Sequence, residues 1–299
     1  MSAVENTNKT GNIRQFKGRS LGQETWRRLL KNRGAVVGMI FMVLLVIVAI
    51  LAEFIYNYDT DIVAQNSKAI FASPSAAHIF GTDQFGRDIF ARILYGARYS
   101  LLIGVGSVAF GLVVGMILGA LAGFYGGVID NLVMRANDIL YAIPNIMIAV
   151  VIVSLLGTTP FSLLLALSIS AASSFARIVR AAVMQIRGQE YIESAYAMGL
   201  PTWKVILKHI IPNCLSPIIV QVTLAIGSNI IAASSLSFLG VGVAPPMPEW
   251  GAMLSDGRPY IRSAPWLCIF PGLAIMVTVL ALNLMGDGLR DALDPKLKK

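Results

Sequence analysis

The sequence predicts an all-α polytopic membrane protein with six transmembrane helices. Of its 299 residues, 56% are hydrophobic and only 13% are charged, and the mean hydropathy is +0.70. A soluble domain of this length does not normally have such a composition. Six apolar segments follow one another, and five of them reach the roughly 20 residues that a helix needs to cross a bilayer. Most Lys and Arg residues, which give a formal net charge of +8, lie in the connecting segments and the tails.

We divide the chain into five parts on this basis. They are a basic N-terminal tail (1–33), a first transmembrane helix (34–56), a polar segment outside the membrane (57–97), a transmembrane domain of five helices (98–287) and a C-terminal tail (288–299). The five helices of the transmembrane domain are predicted at 98–124, 132–156, 161–175, 215–236 and 265–285.

Two connecting segments carry aromatic residues suited to the membrane interface. Residues 21–30 can form a helix along the membrane surface, with Trp26 and Leu29 facing inward. Residues 238–264 are too rich in proline for a regular element, so we expect an irregular loop. The aromatic residues expected in an interfacial belt are Trp250, Tyr260 and Trp266.

The second, third and fourth spans each carry a distinct packing signal. Glycines four residues apart in the second span predict a ridge that another helix can approach closely; they are Gly111, Gly115, Gly119 and Gly123. In the third span Arg135 and Asp138 can form an ion pair, and Pro144 with Asn145 predicts a kink. The fourth span is short and rich in Ser and Ala, which favours a position inside the bundle.

The fifth span is the best candidate for lining a translocation path. It carries polar side chains but no charge, and polar groups at membrane depth need partners or water. An alternative is a purely structural role in hydrogen bonding between helices. The candidate residues are Gln221, Thr223, Ser228, Asn229 and Ser234.

The distribution of positive charge predicts the orientation. Six spans place both termini on one side, and most of the 24 Lys and Arg residues fall on that side. The exceptions are Lys68, Arg87, Arg92, Arg98, Arg258 and Arg262. Because positive residues are enriched in cytoplasmic loops, we expect both termini and the segment at 189–213 to lie in the cytoplasm.

Residues 189–213 form a segment that is too short and too polar to cross a bilayer. Its first half reads as an amphipathic helix that stops at Gly199, and Pro201 can begin a second helix. The expected apolar faces are Ile192, Ala195, Tyr196 and Gly199 in the first helix, and Trp203, Ile206, Leu207 and Ile210 in the second. Pro212 is expected to end the second helix. From periodicity alone, a surface hairpin that only connects two spans is equally compatible.

The residues of this segment resemble a known motif. Glu193, Ser194, Ala195, then Gly199, then His209 to Pro212 are similar to the EAA loop of importer-type ABC permeases. Departures are Ser194, His209 and Ile211, where the pattern has Ala, Ile and Leu. The resemblance implies that the segment docks on a separate ATPase subunit. The residues to which it assigns this coupling function are Glu190, Glu193, Ser194, Ala195, Met198, Gly199, Pro201 and Pro212.

Three further sequences extend the resemblance over nearly the whole chain. The run GTDQFGRD at 81–88, the run PEWGAML at 248–254, and NLMGDGLRDALDP at 283–295 all look like the C-type permease subunit of the dipeptide, oligopeptide and nickel importers. This resemblance implies the type I ABC importer permease fold. It also implies a partner permease in a heterodimer, two ABC ATPase subunits and an extracytoplasmic substrate-binding protein.

The sequence argues against several chemical functions. It has no Gly-x4-Gly-Lys-Ser/Thr pattern, so we expect no enzyme activity and no cofactor in this chain, with ATP and Mg on the partner ATPases. Asp83 and Asp88 are too few ligands for a metal site, and His78 and His209 lie far apart in loops. The two cysteines border apolar runs, and the basic residues are explained by topology without nucleic acid.

One other class of transporter and three kinds of cargo remain to be compared. An ion-driven secondary transporter would carry charged groups at the span centres, and none is predicted there. By resemblance, the cargo is a short peptide, a nickel chelate or glutathione. The uncharged fifth span favours short peptides. The resemblance implies that they are moved by alternating access through the bacterial cytoplasmic membrane.

Overall fold

A computed structural model describes residues 21–293, and within that range the chain is helical with no β-strand. The α-helices are α1 (Leu21–Leu29), α2 (Arg33–Ile55), α3 (Ile89–Tyr125), α4 (Gly127–Ala142), α5 (Asn145–Leu156), α6 (Pro160–Arg187), α7 (Glu190–Ala197), α8 (Thr202–Val205), α9 (Ile211–Phe238), α10 (Trp250–Gly257) and α11 (Trp266–Leu293). Parts of the predicted tails, residues 1–20 and 294–299, lie outside the described residues.

Five helices are long and apolar enough to cross a membrane, and the pair α4 and α5 makes a sixth if it is one broken span. The predicted all-α fold is therefore confirmed. The third predicted span is not one kinked helix, because α4 and α5 meet at 88°. Pro144 lacks an N–H and forces Ile143 into an extended conformation (φ −91°, ψ 127°), so the helix is interrupted where a kink was expected.

Two predicted spans have different limits in the structure. The second begins at Ile89 instead of residue 98, because the Asp88 carboxylate accepts a hydrogen bond from the Ala91 N–H (2.9 Å) and caps the helix there. The fourth is a full helix, Pro160–Arg187, and not the short 161–175 segment. Its Ser and Ala residues lower the hydropathy, which is why the predicted span was short. Many of these residues are buried against other helices and do not face lipid, so the helix does not need strongly apolar residues at these positions.

The centre of the bundle is the close contact between α3 and α6. A Cβ atom added at Gly111, Gly115 or Gly123 would lie 2.6–2.7 Å from atoms of α6, and one at Gly119 would also collide with the α6 backbone. Such distances are shorter than real Cβ contacts, so only glycine allows this approach. Helix α11 packs on the other side of the bundle, between α2 and α9.

Segments 57–88 and 239–265 form a cap at one end of the bundle. The buried Asp83 carboxylate accepts hydrogen bonds from the Arg87 N–H (2.9 Å) and the Arg87 Nε–H (2.6 Å). The expectation of an irregular loop at 238–264 was wrong, because Glu249 caps α10 through the Gly251 and Ala252 N–H groups (2.9 and 2.8 Å). Trp250 is fully buried and donates to the Ile93 carbonyl (3.0 Å), so it is not part of an interfacial belt.

The structure also bears on two predicted side-chain arrangements. Asp138 pairs with Arg177 of α6 (3.4 Å) and not with its neighbour Arg135. In α1, Leu29 is buried against α2 and α11, and Trp26 is 57% exposed on the surface of the chain, so its predicted place at the membrane surface stays a prediction.

Candidate functional site

The segment that resembles a coupling loop lies between α6 and α9. It consists of α7, a turn through Met198–Pro201, α8 and a π-helical turn, Ile206–Ile210, that leads directly into α9. Its inner face packs against the ends of α3 and α6. The buried cluster that holds it is formed by Ala120, Val179, Val183, Ile192, Ala195, Val205, Ile210, Cys214 and Ile218.

Helix α7 has one buried and one exposed face. Ile192 and Ala195 are each 1% exposed and face the cluster. Glu190, Glu193 and Ser194 are exposed, and the Ser194 hydroxyl donates to the Glu190 carbonyl of its own helix (3.0 Å). The acidic residues at the start of α7 suit the positive end of the helix dipole.

Gly199 ends α7 in a left-handed conformation (φ +78°). The Gly199 N–H donates to the Tyr196 carbonyl (2.8 Å) and the Leu200 N–H to the Ala195 carbonyl (3.2 Å), which is the Schellman arrangement. An added Cβ would meet no atom within 4 Å. Glycine is therefore favoured here by its backbone conformation and not by lack of space.

The second helix of the segment differs from the prediction. Val205 and Ile210 are buried, whereas Trp203 and Leu207, which were expected on the apolar face, are 59% and 56% exposed. The prediction assumed α-helical spacing throughout, but the π turn at Ile206–Ile210 contains more residues per turn, so that spacing does not hold from Ile206 onward. The π turn does not account for Trp203, which precedes it.

Pro212 had been expected to end the second helix, but the helix continues through it. Residues Thr202–Phe238 form one helical run of 37 residues that passes through Pro212 and Pro217. Beside Pro212, which has no N–H to donate, the Asn213 side chain donates to the His209 carbonyl (2.6 Å). His209 thus lies within a helix and not in a loop. The second half of the segment and the fifth span form one continuous element.

The outer side of the segment exposes several large apolar side chains together with charged ones, and we call these apolar side chains the coupling patch. Its apolar members are Tyr191, Met198, Trp203 and Leu207, and Met198 is 74% exposed. Lys204 lies against the Trp203 ring (5.4 Å), and Glu190 and Glu193 lie on the neighbouring surface of α7. An apolar patch with a charged rim is typical of a protein interaction site.

Contacts from α3 and α6 hold α7 in position. The Arg187 guanidinium donates to the Phe124 carbonyl at the end of α3 (2.6 Å), and the Phe124 and Tyr196 rings are 6.5 Å apart. Burial raises the pKa of the Tyr196 phenol, while its hydrogen bond with Thr202 acts in the opposite direction. The contacts of Val205 and Arg187 were not predicted from the sequence. The available signal for Arg187 was an arginine at the end of an apolar helix, where carbonyl groups without a helical hydrogen-bond partner are near.

The polar residues of the fifth span fall into two groups in the structure. Thr223 is buried and donates to Val220, and Asn229 donates to the Ser107 hydroxyl of α3 (2.8 Å), so both are engaged in packing within the chain. Ser228 is exposed and donates to the Leu224 carbonyl (3.1 Å), and Gln221 is half-buried. The Ser234 hydroxyl is buried and has no hydrogen-bond partner among the described residues.

Residues 21–293 contain no group of three or more His, Cys, Asp and Glu side chains that could hold a metal ion. His78 contacts the capping residue Asp88 through Nδ1 (2.8 Å), and Asp83 is engaged with Arg87. The GTDQFGRD residues thus take part in the cap: its second glycine, Gly86, packs against the backbone of Asn66.

Comparison with known proteins gives two family matches and several close relatives. Residues 115–299 match the family described as binding-protein-dependent transport system inner membrane component, and residues 20–74 match the N-terminal TM domain of oligopeptide transport permease C. The dipeptide transport system permease protein DppC of Alkalihalophilus pseudofirmus is 46% identical, over 95% of this chain and 93% of its own length. The glutathione transport system permease protein GsiD of Pectobacterium atrosepticum is 45% identical, over 96% and 95%.

The fold also resembles a solved structure. An inward-facing structure of the MetNI methionine ABC transporter matches with a TM-score of 0.56 and 20% sequence identity, over 68% of this chain and 96% of that chain. The likeness covers the fold, and the family matches cover most of the sequence. The chain therefore belongs to the family of binding-protein-dependent transport system inner membrane components, and it is a multi-pass permease subunit of an ABC importer with the type I fold.

Proposed function

We propose that this chain is the C-type permease subunit of an importer that moves short peptides. The observation that supports the mechanism most directly is the continuity of Thr202–Phe238, which joins the exposed coupling patch to the fifth span in one helix. The proposal for the cargo is supported by the relatives, which include a di/tripeptide transport system permease protein of Pseudomonas aeruginosa, 43% identical over 92% of this chain.

The permease works with other components of an ABC importer, and we propose their arrangement. A second, homologous permease subunit pairs with this chain in a heterodimer, two ATPase subunits bind from the cytoplasm, and a binding protein delivers substrate from outside. ATP and Mg bind to the ATPase subunits only. This arrangement agrees with the charge distribution, because the cations expected outside lie in or near the cap, such as Lys68, Arg87 and Arg262.

The coupling mechanism follows from how the segment is held. The ATPase binds the apolar patch around Met198 and Trp203, and closure of the two ATPases displaces α7. Because α8, the π turn and α9 are continuous, the displacement tilts the fifth span and switches the access of the path. The hydrogen bonds of the Gly199 turn hold α7 to the segment that follows it, so the displacement of α7 is passed on to α8.

Reconstituted complexes test this function. Vesicles with ATP inside and binding protein outside should take up dipeptide, and uptake should stop on ATP depletion but survive a protonophore. Uptake that survives ATP depletion and collapses with the proton gradient would show a secondary transporter instead. Glutathione, a tripeptide, is an alternative cargo of the same path, and comparing its uptake with that of dipeptides through the cognate binding protein distinguishes the two.

A further inference from the structure

A groove lies at the end of the bundle opposite the coupling segment, between α9, α10 and α11. Its volume is about 400 Å³, within the range of about 300–1,000 Å³ that small-ligand sites occupy. Most of its lining is apolar, from residues such as Ile231, Phe238, Leu254 and Ile275. The same α9 helix, at its other end, is continuous with the coupling segment.

One polar group in this groove has no partner. Ser234 lines the groove, is 6% exposed, and its Oγ makes no hydrogen bond among the described residues. The adjacent Ser235 hydroxyl instead donates to the Ile231 carbonyl (2.8 Å). A buried hydroxyl without a partner is costly, so a bound molecule that hydrogen-bonds to Ser234 would gain affinity from it.

The face of α9 on which the groove opens is not a typical lipid-facing surface. Its exposed positions recur at helical spacing and alternate between polar and apolar side chains; they are Ser228, Ile231, Ser235 and Leu239. Hydroxyl side chains at membrane depth are expected to face protein or water. Such a mixed face suits the wall of a translocation path better than a surface that meets lipid alone.

We propose that this groove is a subsite of the permease for one apolar side chain of a passing peptide. The side chain lies between α9 and α11, and the Ser234 hydroxyl donates a hydrogen bond to a carbonyl oxygen of the peptide backbone. The inference rests on the proposed function as a peptide importer. It places part of the cargo selectivity in this chain, in addition to any selectivity of the binding protein.

Gly272 offers a way to fill the groove without damaging the fold. It lines the groove, and an added Cβ would be 3.9 Å from the nearest side-chain atom, in Leu254. Gly272→Leu should occupy the space that the substrate side chain needs. Gly272→Ala is the smaller step, and Gly227→Ala is the matched control, because its Cβ would lie 3.6 Å from its nearest neighbours, on α11, and Gly227 does not line the groove.

The measurement is uptake of Gly-Gly, Ala-Ala and Leu-Leu by the whole reconstituted importer with its binding protein. Each variant is compared with wild type for the same peptide, so the preference of the binding protein cancels. Gly272→Leu should lower kcat/KM for Leu-Leu about tenfold or more relative to Gly-Gly, Gly272→Ala less, and Gly227→Ala not at all. Equal loss for all three peptides, or no loss, would overturn the subsite.

A second pair of variants tests the hydrogen bond. Ser234→Ala should lower kcat/KM for all three peptides by a similar factor, since each has the same backbone. Ser168→Ala should have no effect, because Ser168 lies in α6, away from the groove, and its hydroxyl donates to the Leu165 carbonyl of its own helix (2.7 Å). Unchanged uptake by Ser234→Ala contradicts the assigned hydrogen bond.

The Gly272→Leu variant also tests other occupants of the groove. If it prevents assembly with the second permease, or displaces a co-purifying lipid without changing selectivity, the occupant is that partner or lipid and the proposal fails. If wild-type importer takes up none of the peptides, the proposed function fails first.

Discussion

The two ends of the bundle are stabilised in different ways. The cap is tied by buried charges: Asp83 is bonded to Arg87 and lies 3.9 Å from Arg92, and the fully buried Glu249 caps α10. At the coupling end, α7 is seated mainly by apolar contacts and presents an apolar patch outward. The cap resists rearrangement because each buried charge needs its partner. Helix α7, in contrast, can shift over the apolar cluster beneath it without leaving a charge unpaired.

The largest predicted effect is the loss of a buried charge in the cap. Asp83→Ala leaves Arg87 and Arg92 buried, at 4% and 2% exposure, without their shared carboxylate. We expect the free energy of unfolding to fall by about 3–5 kcal/mol, measured by thermal unfolding of the purified complex. A loss below 1 kcal/mol would mean that the cap is not held by its charges.

The next effect concerns function and not stability. Met198→Asp places a charge at the most exposed member of the coupling patch and should weaken ATPase docking by about 2 kcal/mol or more, roughly thirtyfold. The measurement is binding-protein-stimulated ATPase activity and co-purification of the ATPase subunits. Ile261→Asp, at 57% exposure in the cap, is the matched control. If Met198→Asp kept full stimulation, the patch would not be the docking surface.

A smaller effect is expected from the turn between α7 and α8. Gly199→Ala forces a side chain into a left-handed conformation, at a cost of about 1–2 kcal/mol. The cost should appear as faster hydrogen exchange in residues 190–205. Gly188→Ala serves as the control, because its φ of −86° suits any residue and its Cβ would meet no atom. Equal exchange in the two variants would show that the turn does not depend on the glycine conformation.

The comparison of the two ends also shows which features a sequence can predict. The interruption at Pro144 depends on local backbone chemistry, and the predicted stop at Gly199 rests on chemistry of the same kind. Buried tertiary partners could not be read in this way. Trp250 looked like an interfacial residue because nothing local shows that its indole reaches the Ile93 carbonyl.

The coupling site was predictable in part for the same reason. The buried face of α7 has ordinary helical spacing, so Ile192 and Ala195 could be assigned from the sequence. The face from Ile206 onward could not, because local spacing does not reveal the π turn that shifts the helical register there. Asp138 likewise pairs with Arg177 of α6 and not with its neighbour Arg135, which is a tertiary contact that local spacing does not reveal.

The smallest predicted effect sharpens the claim that burial, and not ion pairing itself, stabilises the cap. Arg98 and Glu53 form an ion pair at 2.5 Å between α3 and α2, but their side chains are 31% and 59% exposed. Glu53→Gln should therefore change the free energy of unfolding by only about 0–1 kcal/mol, and added salt should reduce even that difference. The measurement is the same thermal unfolding used for Asp83→Ala. A loss as large as that of Asp83→Ala would mean that an exposed ion pair at this end stabilises the protein as much as a buried one. Burial of charge would then not explain why the cap differs from the apolar contacts under α7.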